Sequence, residues 1–181
     1  MSLILRSVQK TPSFNFNKLR DDIVALRRIM RVDRFELAVV CMDEPQVREL
    51  NKLYNGRDEP TDVLSFPRYQ NLKPGKLPDP WSDVNDLGDI YLGISSIQAW
   101  CEKNHIDLDT GLPLVVTHGL CKLIGYKDDS LGQWKQMHER ELKIIEKFNK
   151  QSGRDLPFLC PVPNVNKGQK QALIPAEESL I

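Results

Sequence analysis

The sequence has no long apolar run, no clustered cysteines and no excess of charge of either sign. No stretch approaches the roughly 18 apolar residues that span a bilayer, so no membrane-crossing helix is expected. Cys41, Cys101, Cys121 and Cys160 lie far apart and form no C-x-x-C pair. That spacing argues against a disulfide framework, and with no signal peptide ahead of them reduced thiols in a soluble intracellular protein are expected. The 25 basic and 25 acidic side chains cancel. This excludes the strongly basic footprint that holds duplex DNA by charge, and neither DNA nor a membrane is expected as a partner. Glycine and proline, 10 and 12 among 181 residues, are too few for a low-complexity chain. There are only three histidines, His105, His118 and His138.

What remains is the composition of one folded domain, 40% hydrophobic and 28% charged. A chain of this length has an expected radius of gyration of about 16 Å. The first twenty residues carry Arg6, Lys10, Lys18 and Arg20 and no acid. That suits a mitochondrial targeting segment, but Leu3 to Val8 reads better as a first strand. The compartment stays open between cytoplasm and mitochondrion.

Helical spacing of Leu19, Ile23, Leu26 and Met30 after Asn17, a predicted N-cap, marks a first helix. Phe35 to Cys41 is a buried strand. Asp43 caps a second helix with Val47, Leu50 and Tyr54 inward, ended by Gly56. Thr61 to Phe66 and Leu87 to Gly93 are strands, separated by a proline-rich loop from Tyr69 to Asp86. Ser96 to Asn104 is a short helix with Ile97, Trp100 and Cys101 inside. Pro113 opens a largely apolar, central helix through Ile124, with Gly125 beyond its end. Ser130 and Gln133 form a capping box for a last helix that buries Leu131, Trp134, Leu142, Ile145 and Phe148. The resulting fold class is α+β, a small mixed sheet packed on a central helix. The domain is expected over residues 1–153, with a disordered or surface-draped tail over 154–181.

The central helix carries the chemistry. His118 and Lys122 stand four residues apart and share a face, and the turn after Gly125 returns Lys127, Asp128 and Asp129 towards it. Polar groups on so apolar a helix need partners. By residues alone, His118 reads as a satisfied core histidine and Lys122 as a side chain reaching solvent. Gly119 stands where a zinc peptidase of the H-E-x-x-H type needs its glutamate. His105 and His138 read as surface residues.

Three strings change the balance: Thr61-Asp62-Val63-Leu64-Ser65-Phe66-Pro67, Leu87-Gly88-Asp89-Ile90-Tyr91-Leu92-Gly93, and Thr117-His118-Gly119-Leu120 through Gly125-Tyr126. In order and spacing they resemble the YbeY family of single-strand-specific, metal-dependent endoribonucleases of ribosomal RNA maturation. The similarity runs over roughly Met1 to Gly153, and the MSL start is similar to the family's animal members. It implies a zincin-like α+β fold, one zinc at the central helix, and ribosomal RNA or a ribosomal protein as partner.

The family's metal motif is H-G-x-x-H with a third histidine six residues on. Three such ligands fill three corners of a tetrahedral zinc and leave the fourth to water. Only His118 is kept here; the other two positions are Lys122 and Asp128. Asp128 is a legitimate ligand. Lys122 is not: deprotonating it at pH 7 costs about 4.6 kcal/mol. Left charged ~4 Å from a divalent ion, it is repelled by about 8 kcal/mol at an effective dielectric of 20. Cys121 is expected to face the core rather than rescue the site. The family's phosphate-contacting arginine, six residues before Thr61, is Asn55, and Arg57 two residues later is a weak substitute whose side chain is expected to point elsewhere.

The changed residues have opposite charges. Lys122 and Asp128 are therefore expected to pair where the metal would sit, with His118 beside them. Asp89 reads equally as a partner of the other His118 ring nitrogen or as a strand-end hydrogen-bond acceptor. Thr61 and Ser65 are expected to line the cleft. Two functions follow: an endoribonuclease with His118 and Asp128 holding a weakened metal, or a metal-free member that binds RNA or the ribosome without cleavage.

Overall fold

In the computed structural model, which describes residues 2–10, 12–79 and 85–159, nine elements follow one another. They are β1 (Leu3–Ser7), α1 (Phe16–Met30), β2 (Glu36–Met42), α2 (Glu44–Asn55), β3 (Val63–Pro67), β4 (Asp86–Gly93), α3 (Ile94–Lys103), α4 (Leu108–Leu123) and α5 (Leu131–Ser152). The order is the one expected from the sequence. The strands form one mixed sheet, β1-β2-β4-β3. β1, β2 and β4 pair in parallel and β3 runs antiparallel to β4. The basic first segment is thus a sheet strand, with Leu5 buried.

β3 is an edge strand, which explains why Pro67 closes it instead of stopping it one residue earlier: a strand edge needs no donor there. Its partner Gly88 has φ of +120°, and a Cβ at that position would lie 2.2 Å from the Phe66 carbonyl oxygen. Only glycine lets the two strands close at this point.

Several boundaries move for local reasons. The α1 N-cap is Asn15 rather than Asn17, its side chain accepting from the Lys18 N–H at 3.0 Å. Asp43 caps α2 as expected, and its backbone N–H donates to the Gln46 side chain at 3.2 Å, which completes a capping box. Its buried face holds Val47 and Asn51, while Tyr54 stands 61% exposed. Tyr54, seven residues on from Val47, keeps the same helical face but stands in the last turn of α2, where its ring meets Phe66 at 4.7 Å between centroids. In α5 the buried stripe is Met137, Glu141, Ile144, Ile145 and Phe148; Leu131, Trp134 and Leu142 are only half-buried.

The largest shift is at α4. It starts at Leu108, capped by Asp107, whose carboxylate accepts from the Thr110 N–H at 2.7 Å. Pro113 therefore lies inside the helix and leaves the Asp109 carbonyl without its i+4 donor. Arg154 supplies the missing bond, its Nη2 donating to that carbonyl at 2.9 Å while Nη1 pairs with Asp22 on α1. The chain accordingly stays packed beyond Gly153. Leu156 is buried, and its backbone N–H and carbonyl both bond the Asn149 side chain. The loop from Tyr69 is irregular through residue 79, and Asp86 already belongs to β4. The rest of that loop and the tail from residue 160 lie outside the described residues. Among the described residues, no helix is long and apolar enough to cross a membrane.

α4 lies against β3 and β4, with α1, α3 and α5 around it. Leu112 to Cys121 is buried without a break, which explains why so little of this helix is polar. Gly119 sets its approach to the sheet: a Cβ there would meet Ile90 at 3.0 Å and the Ser65 hydroxyl at 3.3 Å. A larger side chain at this position would have to push Ile90 and Ser65 aside by a few tenths of an ångström.

Candidate active-site cleft

Where α4 meets the edge strand β3, the end of α2 and the turn after α4, a cleft of about 470 Å³ opens. Asn55 and Arg57 line one side, Thr61 and Ser65 the strand side, and His118 and Lys122 the floor. The structure thus brings together Asn55, Arg57, Thr61, Ser65, His118, Lys122 and Asp128. Arg57 does not turn away as expected. Gly56 takes a left-handed conformation at the end of α2, and the chain reverses there so that Arg57 lines the same cleft as Asn55. The Asn55 amide donates to Asn51, whose own amide donates to the Glu59 carbonyl at 2.8 Å. Thr61, which precedes β3 rather than belonging to it, and Ser65 within the strand both line the wall, as expected.

Four side chains form the polar centre. The Lys122 ammonium makes a hydrogen-bonded ion pair with Asp128 Oδ1. His118 Nε2 stands 3.9 Å from Asp128 Oδ2, and Nδ1 lies 2.8 Å from Glu141 Oε1. Gly125, at φ +94°, reverses the chain just past α4 and carries Asp128 back over Lys122. That left-handed position suits glycine, and the ammonium in the last turn of α4 also suits the helix dipole. Asp128 is almost fully buried, whereas the Lys122 side chain keeps 30% of its surface and reaches the cleft wall.

Glu141, not Asp89, stands against the second ring nitrogen of His118, and of the two readings of Asp89 the strand one holds. The two His118 nitrogens face Glu141 and Asp128, while Asp89 lies in the β4 ladder opposite Phe66, where burial raises its carboxyl pKa. A signal for Glu141 exists in the sequence: it is the acid within the 3.6-residue stripe Met137, Ile144, Ile145 and Phe148. A buried carboxylate on such a stripe needs a buried partner, and His118 is that partner.

The remaining candidates sit elsewhere. Cys121 is fully buried, and that burial pushes its thiol well above the ordinary range, so it offers no thiolate to the cleft. His105 is exposed in a turn at positive φ. His138 stacks on Trp134 with centroids 5.0 Å apart.

The residues at this centre do not fit the zinc that the family resemblance implies. One nitrogen of His118 is engaged by Glu141, and the carboxylate that its other nitrogen faces is held by an ammonium. A catalytic zinc needs three protein ligands and an open position. Here the third ligand is replaced by a fixed positive charge on the remaining carboxylate, which opposes a divalent ion electrostatically. Among the described residues, no group of three or more His, Cys, Asp or Glu side chains is placed to hold a metal.

Residues 5–149 match the family model of endoribonuclease YbeY. The chain belongs to the YbeY family. The human endoribonuclease YbeY is 36% identical over 157 residues, covering 86% of this chain and 93% of its own. The Clostridioides difficile endoribonuclease YbeY is 32% identical over 122 residues, covering 65% of this chain and 74% of its own. A solution structure from Thermotoga maritima superposes with a TM-score of 0.56 at 22% identity, covering 84% of this chain and 92% of that one. At that identity the likeness shows the fold, an α+β domain. Its match extends over most of the chain.

Proposed function

We propose that this protein acts on RNA in ribosomal RNA maturation, as its endoribonuclease family implies, and that the RNA lies in the cleft between β3 and α4. The observation that carries the reading is the placement of the family strings on this cleft. Thr61 to Phe66 and His118 line it within the matched residues 5–149, with Asn55 and Arg57 at its rim. Ribosomes in the cytoplasm or the mitochondrion supply such RNA, and ribosomal proteins are natural partners of a factor working there.

The lining also carries Glu59, Asp62, Asp128 and Asp129 against Arg57 and Lys122. The cleft therefore does not attract a polyanion by charge alone. Amide and hydroxyl donors from Asn55 and Ser65 can bond phosphate and ribose oxygens directly, and the Thr61 hydroxyl, which donates to Asp62, can accept from a ribose hydroxyl.

A second reading is favoured by one feature, the Lys122–Asp128 pair. Zinc is the metal the family resemblance implies, and the pair opposes it, so RNA would be held without metal-assisted hydrolysis. One assay separates the two. Full-length protein is incubated with a labelled single-stranded RNA, with and without added zinc, and both retention and cleavage are followed. Zinc-dependent cleavage lost in His118→Ala and Asp128→Ala supports the endoribonuclease. Retention without cleavage supports the binding protein. A protein that neither retains nor cleaves the RNA overturns the proposal.

A further inference from the structure

A cleft lined by more acids than bases must obtain affinity for RNA from something other than phosphate charge. The aromatic residues at its rim are placed to do so. Phe66, which lines the cleft, is the middle ring of three. Tyr54 meets it at 4.7 Å between centroids and 67°, and Tyr91 at 5.5 Å and 81°. In an edge-on contact of this kind, Phe66 covers at most one face of the Tyr54 ring. With 61% of Tyr54 exposed, ring surface is left open to solvent. Leu53 beside it is 70% exposed.

Strand parity fixes the direction of approach. Phe66 and Leu64 share one side of β3, and Ser65, beside Gly119 of α4, lies on the other. The cleft includes Leu64, Ser65 and Phe66 together, so it wraps the open edge of β3. A strand of RNA crossing that edge would place sugar and phosphate against Thr61, Ser65 and Asn55. An adjacent base would then turn over the edge towards Tyr54.

The geometry points to Tyr54, backed by Phe66 and Tyr91, as a stacking platform for an unpaired RNA base, a subsite continuous with the cleft. Every base has a π-face, so such a platform accepts any sequence but requires a single strand, because a base in a duplex is already stacked on both sides. The ring's two side-chain torsions are restrained by Phe66, so little further ordering is needed on binding. This inference rests on the RNA reading above.

The test is a binding comparison with a fluorescent 10-nucleotide single-stranded RNA and the same backbone carrying abasic sites. Wild-type full-length protein should bind the abasic strand about 5- to 100-fold more weakly. Tyr54→Ala should weaken binding of the intact strand by a similar factor and leave the abasic strand unaffected, while Tyr54→Phe should match the parent within about twofold. Equal wild-type affinity for both strands overturns the platform while leaving the RNA reading standing, and this arm needs no variant. A Tyr54→Ala loss of equal size on both strands overturns it as well. Failure of the wild type to bind either strand overturns platform and reading together.

Discussion

Lys122 holds Asp128 at the position where two metal ligands of the family would converge, and the two partners differ in burial: the carboxylate is 5% exposed and the ammonium 30%. The pair's energetics are therefore asymmetric. Lys122→Met strands a buried carboxylate and should cost about 3–5 kcal/mol. Asp128→Asn leaves an ammonium that can turn to water and should cost about 1–3 kcal/mol. For a chain this long, each kcal/mol lowers the melting temperature by roughly 2–4 °C. Thermal unfolding of both variants checks the ordering, and an Asp128→Asn protein as stable as the parent would mean that the pair contributes nothing.

Arg154 closes the helix that Pro113 leaves open. Arg154→Ala removes the donor to the Asp109 carbonyl and the partner of Asp22, for a cost of about 2–4 kcal/mol in denaturant unfolding. Burial already raises the Asp22 carboxyl pKa despite the guanidinium, and removing Arg154 raises it further. A carboxylate with a raised native pKa holds its proton better folded than unfolded, so its contribution becomes more favourable as pH falls through that value. The loss in Arg154→Ala should thus be largest at neutral pH and shrink in acid. A cost that grows on acidification would contradict this role.

Burial pushes the thiol of Cys41 up to about 12 and that of Cys101 up to about 11. Native Cys160→Ser protein should stay silent to a thiol reagent at pH 8, and three thiols should react once it is unfolded. The same shifts fix an alkaline limb. Above about pH 9 the unfolded thiols ionise while the folded ones do not, so stability falls by about 1.4 kcal/mol per thiol for each pH unit, until the native values are reached. Cys41→Ala should reduce that slope; an unchanged slope would show that other groups set it.

RNA affinity should depend weakly on salt. The cleft offers two cations, Arg57 and Lys122, so the log–log salt slope for a single strand should be no steeper than about −1.4. A slope near −4 would place the RNA on another surface.

Much of this was legible in the sequence because local signals and tertiary packing agree. The short apolar run Phe35 to Cys41 and the helical spacing of Leu19 to Met30 gave strand and helix. The opposite charges at two altered positions of the resembled family's metal motif, Lys122 and Asp128, pointed to the ion pair. The signals failed where a distant residue decides. Pro113 reads as a helix start because its missing N–H should leave an orphan carbonyl; Arg154, 45 residues away from Asp109, removes that objection. Glu141 escaped attention because its partner lies 23 residues back on another helix. Tyr54 was read as inward because helical spacing does place it on the Val47 face and cannot show that its position in the last turn of α2 leaves it 61% exposed.

The central claim, that a lysine ammonium stands where a family member would hold zinc, is tested most directly by native mass spectrometry of the untagged full-length protein. The account predicts a folded chain with no zinc retained against a mild chelator, and close to one zinc per chain once Lys122→His and Asp128→His are combined. Near-stoichiometric zinc retained by the unmodified protein would contradict it.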